Sequence, residues 1–228
     1  MIYMKAVVLS SGGLDSTTCL GIAVDKHGRE NVSAVSISYG QRHARELISA
    51  KAVAEYYGVA RYEFDAAAIF SNSGSALLNA STKNLSHETY GEQIAKNARV
   101  ETYVPFRNGL MISIAAAFAD GLDSDAVEIY IGVHQDDAAE NAYPDCRADF
   151  IEAISAAASI GTYGKIKIVA PFVGKTKADI VRAGLALKVP YELTWSCYER
   201  GEKPCGVCAT CRDRAAAFAA NGIPDPAL

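Results

Sequence analysis

A short apolar run, AVVL at residues 6 to 9, ends in the string Ser10-Ser11-Gly12-Gly13-Leu14-Asp15-Ser16-Thr17, and a helical pattern begins at once. No other feature constrains the fold of this chain as much. A strand that stops at paired glycines and turns straight into a helix aims the helix N-terminus, with its unsatisfied N–H groups, beyond the strand's carboxyl end. Residues 14 to 25 read as that helix, with Asp15 and Ser16 in its first turn. A second apolar run, Val32 to Ser38, precedes residues 42 to 57, where Leu47, Ala50, Val53, Ala54 and Tyr57 recur at helical spacing. A third short strand, Arg61 to Asp65, completes a β-α-β-α-β series. This alternation predicts an α/β fold: an open, mainly parallel sheet with helices on both faces.

Residues 66 to 104 break the rhythm, being polar and rich in Ser, Asn and Ala without clear period; they predict a partly helical insertion placed to fold over a site. The pattern resumes with a helix from Arg107 to Asp120, a strand from Ala126 to Val133, a polar loop and a helix from about Asp145 to Ser159. Residues 166 to 170 read as a fifth strand, and Thr176 as the cap of a helix running through Lys188. After Pro190 the character changes, and an alanine-rich helix is expected from about Cys208 to Ala220. The expected division is a main domain over 1–193 and a small tail over 194–228 packed on it.

The glycine turn carries the first chemical signal. Backbone N–H groups of Gly12 to Ser16 converge at a positive helix end, and the hydroxyls of Ser11, Ser16 and Thr17 add donors, so a polyanion fits there. Gly-Gly after a strand can also be no more than a tight turn. Gly174-Lys175-Thr176 ends like a second phosphate loop, but that motif requires glycine where this chain has Val169. The second signal is Cys197-x7-Cys205-x2-Cys208-x2-Cys211, which offers four soft ligands for a closed structural Zn(II) site. Redox or sulfur-transfer chemistry at one C-x-x-C pair and an iron–sulfur cluster are the alternatives. With 22 basic against 26 acidic residues, the formal charge of −4 gives no support to a nucleic-acid partner. No stretch approaches the 18 apolar residues of a membrane span and no targeting pattern is present, so a cytosolic protein is expected.

SGGLDS at residues 11 to 16 resembles the pyrophosphate-binding loop of the PP-loop ATP pyrophosphatases, which share a Rossmann-like open α/β sheet and cleave ATP between the α and β phosphates. Further blocks follow it: Tyr39-Gly40-Gln41-Arg42-His43, Val104-Pro105-Phe106-Arg107-Asn108, Tyr143-Pro144-Asp145-Cys146-Arg147 and Trp195-Ser196-Cys197-Tyr198. With that loop, their order resembles the 7-cyano-7-deazaguanine synthase family of queuosine biosynthesis over nearly the whole chain. The resemblance implies an ATP-dependent conversion of 7-carboxy-7-deazaguanine and ammonia to the 7-cyano base by a cytoplasmic homodimer, without nucleic acid or membrane. It implies that Ser10, Ser11, Gly12, Gly13, Leu14, Asp15, Ser16, Thr17, Thr18, Cys19 and Leu20 hold ATP with Mg(II). By the same resemblance Cys197, Cys205, Cys208 and Cys211 hold Zn(II), and Lys177 is presented to the nucleotide phosphates.

The other motif residues take their expected roles from their chemistry. Arg42 and Arg107 can pair with a carboxylate or phosphate as planar forks, Asn108 can orient a substrate amide, and Asp145 can accept from the N1–H and 2-amino edge of the base. Ion pairs and caps on surface loops are the plainer readings of the same residues. Tyr39, Gln41, Asp136 and Arg147 are expected at the substrate with them, and Asp15, Lys177 and Arg107 in catalysis. The segment Gly132 to Ala142 is longer than the family pattern, which leaves open whether Asp136 or Asp137 faces the substrate. Cys146, as a lone cysteine of the kind usually buried, stays outside the catalytic set.

Overall fold

The computed structural model describes residues 4–42, 45–82, 88, 90–97, 99–199 and 201–227. Among them five strands, β1 (Met4–Leu9), β2 (Val32–Ser38), β3 (Ala60–Asp65), β4 (Ala126–Tyr130) and β5 (Ile166–Val169), form one parallel sheet in the order β3-β2-β1-β4-β5. The helices are α1 (Leu14–His27), α2 (Arg45–Tyr57), α3 (Tyr90–Asn97), α4 (Arg107–Asp120), the single turn α5 (Gln135–Ala138), α6 (Ala148–Gly161), α7 (Lys177–Ala186) and α8 (Ala209–Ala219).

β1 lies at the centre and is apolar on both sides: Ala6 and Val8 face one layer, Val7 and Leu9 the other, all buried. A parallel strand covered on both faces requires such a continuous run. α1, α2, α7 and α8 cover one face through Leu14, Val53, Ile180 and Phe218, while α4 and α6 cover the other through Ile112, Ala115 and Ile151. Strand order reverses between β1 and β4, so the crevice outside their carboxyl ends is the topological switch point where open α/β sheets take ligands.

Three expected boundaries move. β4 stops at Tyr130, three residues before Val133: Ile131 still donates to Val169 O (3.0 Å), but Gly132 then runs against the start of α1. A Cβ at Gly132 would sit 3.0 Å from Asp15 C and 3.1 Å from Ser16 N, so a larger residue leaving β4 by this route would press on the first turn of α1. The helix expected from Asp145 splits into a 3-10 turn over Pro144–Cys146, an extended Arg147 and α6. α7 ends at Ala186 because Lys188 turns left-handed (φ +54°) and lets Val189 N–H close on Gly184 O at 2.9 Å.

The insertion, parts of which lie outside the described residues, packs rather than hangs. Leu77 and Leu78 are buried, and Gln41 pairs with Leu78 as an isolated antiparallel bridge. The tail is latched from two sides. Arg214 is buried and forks onto Asp225 (2.6 and 3.0 Å) while donating to Tyr191 O (3.0 Å) and Thr194 Oγ1 (2.6 Å). Trp195 N–H donates to Gly12 O at 2.9 Å, so the first residues of the tail rest on the glycine turn itself.

Candidate active site

The glycine turn is built from its own residues. Gly12 takes φ +82°, a left-handed conformation that side chains resist, and a Cβ there would overlap the Glu46 carbonyl oxygen and the Ala50 nitrogen of α2. Gly12→Ala should therefore cost about 2–5 kcal/mol, the sum of left-handed strain and overpacking. A fall in Tm of about 10 °C is expected. Gly13→Ala is the control, since its Cβ would meet Ser11 Oγ only at 3.4 Å; thermal melts with equal midpoints for the two variants would refute this packing.

Of the expected hydroxyl donors, Ser16 Oγ is spent inside the turn, 3.0 Å from Ser11 Oγ and 3.3 Å from Gly13 O. No side chain caps α1, which leaves its first-turn N–H groups for a ligand. Ser10 and Thr17 are buried behind the turn with hydroxyls that make no hydrogen bond. Thr18, Cys19 and Leu20, expected to hold the nucleotide, point elsewhere. Thr18 Oγ1 donates to Leu14 O (2.9 Å) and lies 2.8 Å from Tyr191 Oη, Cys19 and Leu20 are core residues, and burial pushes the Cys19 thiol far up. The part of the 10–20 segment that meets the cavity is Ser11, Gly13, Leu14, Asp15 and Ser16.

That cavity, of about 210 Å³, opens beyond β1 and β4. The turn forms one wall, Arg107, Asn108 and Met111 of α4 another, and Trp195, Ser196 and Tyr198 of the tail a third. A second cavity of about 420 Å³ between α7 and α8 shares Asp137, Lys177 and Asp213 with it. Lys177 therefore stands at the junction, with Nζ 3.8 Å from Asp15 Oδ2. Burial works against its charge, but Asp15, Asp137, Asp213 and Asp136 together hold the ammonium above its ordinary range. Its backbone N–H donates to Asp136 Oδ2 at 2.8 Å, and Thr176 with Asp179 closes a capping box around the start of α7. His134, almost fully buried, lies 3.3 Å from Asp137 Oδ2 and 3.8 Å from Asp15 Oδ2 with neither ring nitrogen in a hydrogen bond.

Arg107 enters from α4 with its guanidinium 5.5 Å above the Tyr39 ring, and both line the cavity. Asp137 lines it as well, whereas Asp136 reaches only the second cavity. Three expected substrate residues are differently employed. Arg42 donates from Nε to Leu78 O (3.2 Å) and from a terminal nitrogen to Ser81 O (2.7 Å), fastening the insertion. Arg147 forks onto Asp149 (3.0 and 2.7 Å) on the surface. Asp145 is buried behind Asn108: its Oδ2 accepts Asn108 N–H at 2.9 Å, burial raises its carboxyl, and it does not line the cavity. Gln41 Oε1 accepts Tyr39 N–H (2.8 Å) and borders a small apolar annex of the cavity. His43 lies outside the described residues.

Asn108 lines the cavity and donates from Nδ2 to Cys146 Sγ at 3.2 Å. Burial drives the Cys146 thiol far above its ordinary range, which disfavours the thiolate a nucleophile would need. Glu46 was not singled out by sequence, yet it lines both the cavity and the annex. Burial raises its carboxyl to about 7 against the pull of Arg107.

The sulfurs of Cys197, Cys205, Cys208 and Cys211 all lie within 4.8 Å of one another. A tetrahedron of Zn–S bonds of about 2.3 Å has sulfur–sulfur edges of about 3.8 Å, so the donor set fits such an ion with little movement. Backbone N–H groups of Glu199 and Cys205 already aim at Cys197 Sγ (3.4 and 3.3 Å), as expected where thiolate charge must be stabilised. Burial opposes ionisation of Cys208, but the Thr210 hydroxyl and nearby N–H groups bring that thiol down to about 7.

Comparison with known proteins agrees with these features. The family described as "Queuosine biosynthesis protein QueC" matches residues 5–222. A 7-cyano-7-deazaguanine synthase from Archaeoglobus fulgidus is 41% identical over 226 residues, covering 99% of this chain and 90% of the relative. One from Oceanobacillus iheyensis is 40% identical over 228 residues, covering 99% and 98%. A U34-tRNA thiolase from Methanococcus maripaludis is a loose structural likeness only, with TM-score 0.48 and 16% identity over 96% of this chain and 67% of that one. The chain thus belongs to the QueC family of queuosine biosynthesis proteins, whose curated relatives are 7-cyano-7-deazaguanine synthases.

Proposed function

We propose that the protein makes 7-cyano-7-deazaguanine from 7-carboxy-7-deazaguanine and ammonia, at the expense of ATP and through adenylated intermediates. The observation that carries this reading is the uncapped start of α1 at the β1–β4 switch point, with Lys177 beside it and the Arg107 guanidinium across the same cavity. The helix end and the ammonium suit the β and γ phosphates, and the fork suits a carboxylate. Turning a carboxylate into a nitrile removes two oxygens, and neither leaves unaided at neutral pH.

Carboxylate oxygen attacks the α phosphorus and pyrophosphate departs; ammonia then displaces AMP to give the primary amide and releases a proton. The amide oxygen attacks the α phosphorus of a second ATP with departure of pyrophosphate and one N–H proton, and loss of AMP with the second N–H proton forms the C–N triple bond. Orientation and charge stabilisation by these residues supply the acceleration. Asp15 and Asp137, which line the cavity, would hold Mg(II) with the nucleotide, and the ion would supply neutralisation of phosphate charge. Cys197, Cys205, Cys208 and Cys211 would hold Zn(II) as a structural ion, since four thiolates leave no open position.

No helix among the described residues is long and apolar enough to cross a membrane. A cytoplasmic homodimer completes the reading, with the dimer open to sedimentation. The activity is tested by pyrophosphate release, which should require ATP, ammonium and the carboxy base together. Release with any one of the three omitted would argue for a different reaction.

A further inference from the structure

The base has two ends to be recognised, and the Arg107 fork accounts for one. From the 7-substituent the pyrimidine edge of a deazaguanine runs on through a 6-oxo acceptor, an N1–H donor and a 2-amino donor, and two donors side by side call for a carboxylate. Asp145 is unavailable, being buried behind Asn108 with Oδ2 already engaged. Of the carboxylates that line the cavity, Asp15, Asp137 and Asp213 act on Lys177. Glu46 is the one on the other side. It stands at the mouth of the apolar annex walled by Leu9, Ile37, Leu47 and Met111, next to Arg107.

We propose that Glu46 reads this edge of the base, its two oxygens accepting from N1–H and the 2-amino group while Arg107 donates to the 6-oxo oxygen and to the neighbouring 7-substituent. The pattern matches group for group: donor fork to two acceptors, carboxylate to two donors. The glycine turn fixes where this happens, because the absence of a Cβ at Gly12 lets the first turn of α2 close onto it and brings Glu46 beside the phosphate site. Base and α phosphorus are then held against each other by two adjoining turns of chain. The high carboxyl pKa also has a function: a poorly solvated acid is relieved by two incoming donors.

The inference rests on the proposed substrate class, and binding measurements separate the two. Calorimetric titration of the folded wild-type protein with 7-cyano-7-deazaguanine and with its 2-desamino analogue should show a preference of tenfold or more for the 2-amino base. In Glu46→Gln, whose amide sets a donor against a donor, the Kd for the 2-amino base should rise at least tenfold and the preference collapse, with the KM for ATP within twofold of wild type. Glu46→Asp should keep the preference at weaker affinity. Unchanged affinity in Glu46→Gln, or a loss confined to ATP, overturns the role of Glu46 and leaves the synthase reading standing. Tight, edge-specific binding without turnover of the carboxy base does the reverse. A wild-type protein that does not bind the base overturns both.

Discussion

Lys177→Met should lower kcat/KM by about 10²- to 10³-fold, the usual cost of removing one preorganised charge from a developing anion. The lysine opens α7, its ammonium stands 3.8 Å from Asp15 Oδ2, and it joins both cavities. In the proposed reaction, pyrophosphate leaving the α phosphorus would gain charge beside it. Lys177→Arg should recover little, because a planar fork cannot replace a compact ammonium at this junction. The surrounding carboxylates keep solvent access, so Tm should fall by no more than about 4 °C. A variant with near-normal kcat/KM would remove Lys177 from the reaction. A collapse of Tm would make its role structural.

Loss of the proposed zinc should have a larger effect on the fold than loss of any single side chain. Apart from the four thiols, the buried apolar cluster at 195–211 amounts to Trp195 with Tyr198 against it, too little to hold a loop of this length. Structural zinc in comparable small units supplies apparent free energies of about 10–16 kcal/mol. The double variant Cys205→Ser/Cys208→Ser should therefore lose its zinc, most of its soluble yield and its activity together, since Trp195, Ser196 and Tyr198 also wall the cavity. Hydrogen exchange should quicken first over 195–211, while α8 stays protected longer through the Arg214–Asp225 fork and Phe218. Retention of one zinc per chain in the double variant would contradict a four-thiolate site.

The sheet and helices were legible because their periods are strong and their turns carry chemistry: Val32–Ser38 and Arg107–Asp120 lie where apolar spacing puts them. Boundaries set by tertiary contact were not. Gly132 reads as a strand residue until its approach to α1 is seen, and Lys188 as a helix residue until its φ of +54° is seen. At the candidate site, the places of the glycine turn and of Lys177 at the start of α7 were legible, because each stands where the chain hands over to a helix. A contiguous segment such as 10–20 cannot act as a unit, because each helical step rotates the side chain by about 100° and carries Thr18 and Leu20 into the core. The forks were legible as chemistry but not as destinations: nothing local distinguishes Arg42, fastened to Leu78 and Ser81, from Arg107 in the cavity. Glu46 was hidden because its partner Arg107 comes from another helix, and only the sheet brings α2 and α4 to one cavity.

Successive adenylation fixes how much nucleotide each nitrile consumes. Chromatographic quantification of all nucleotides alongside the base, at completion, should give two AMP and two pyrophosphate per nitrile from the carboxy base. A synthetic primary amide should be accepted and should consume one ATP to one AMP and one pyrophosphate. ADP with free phosphate as the sole nucleotide products, or an amide that is not converted, would contradict successive adenylation at the glycine turn.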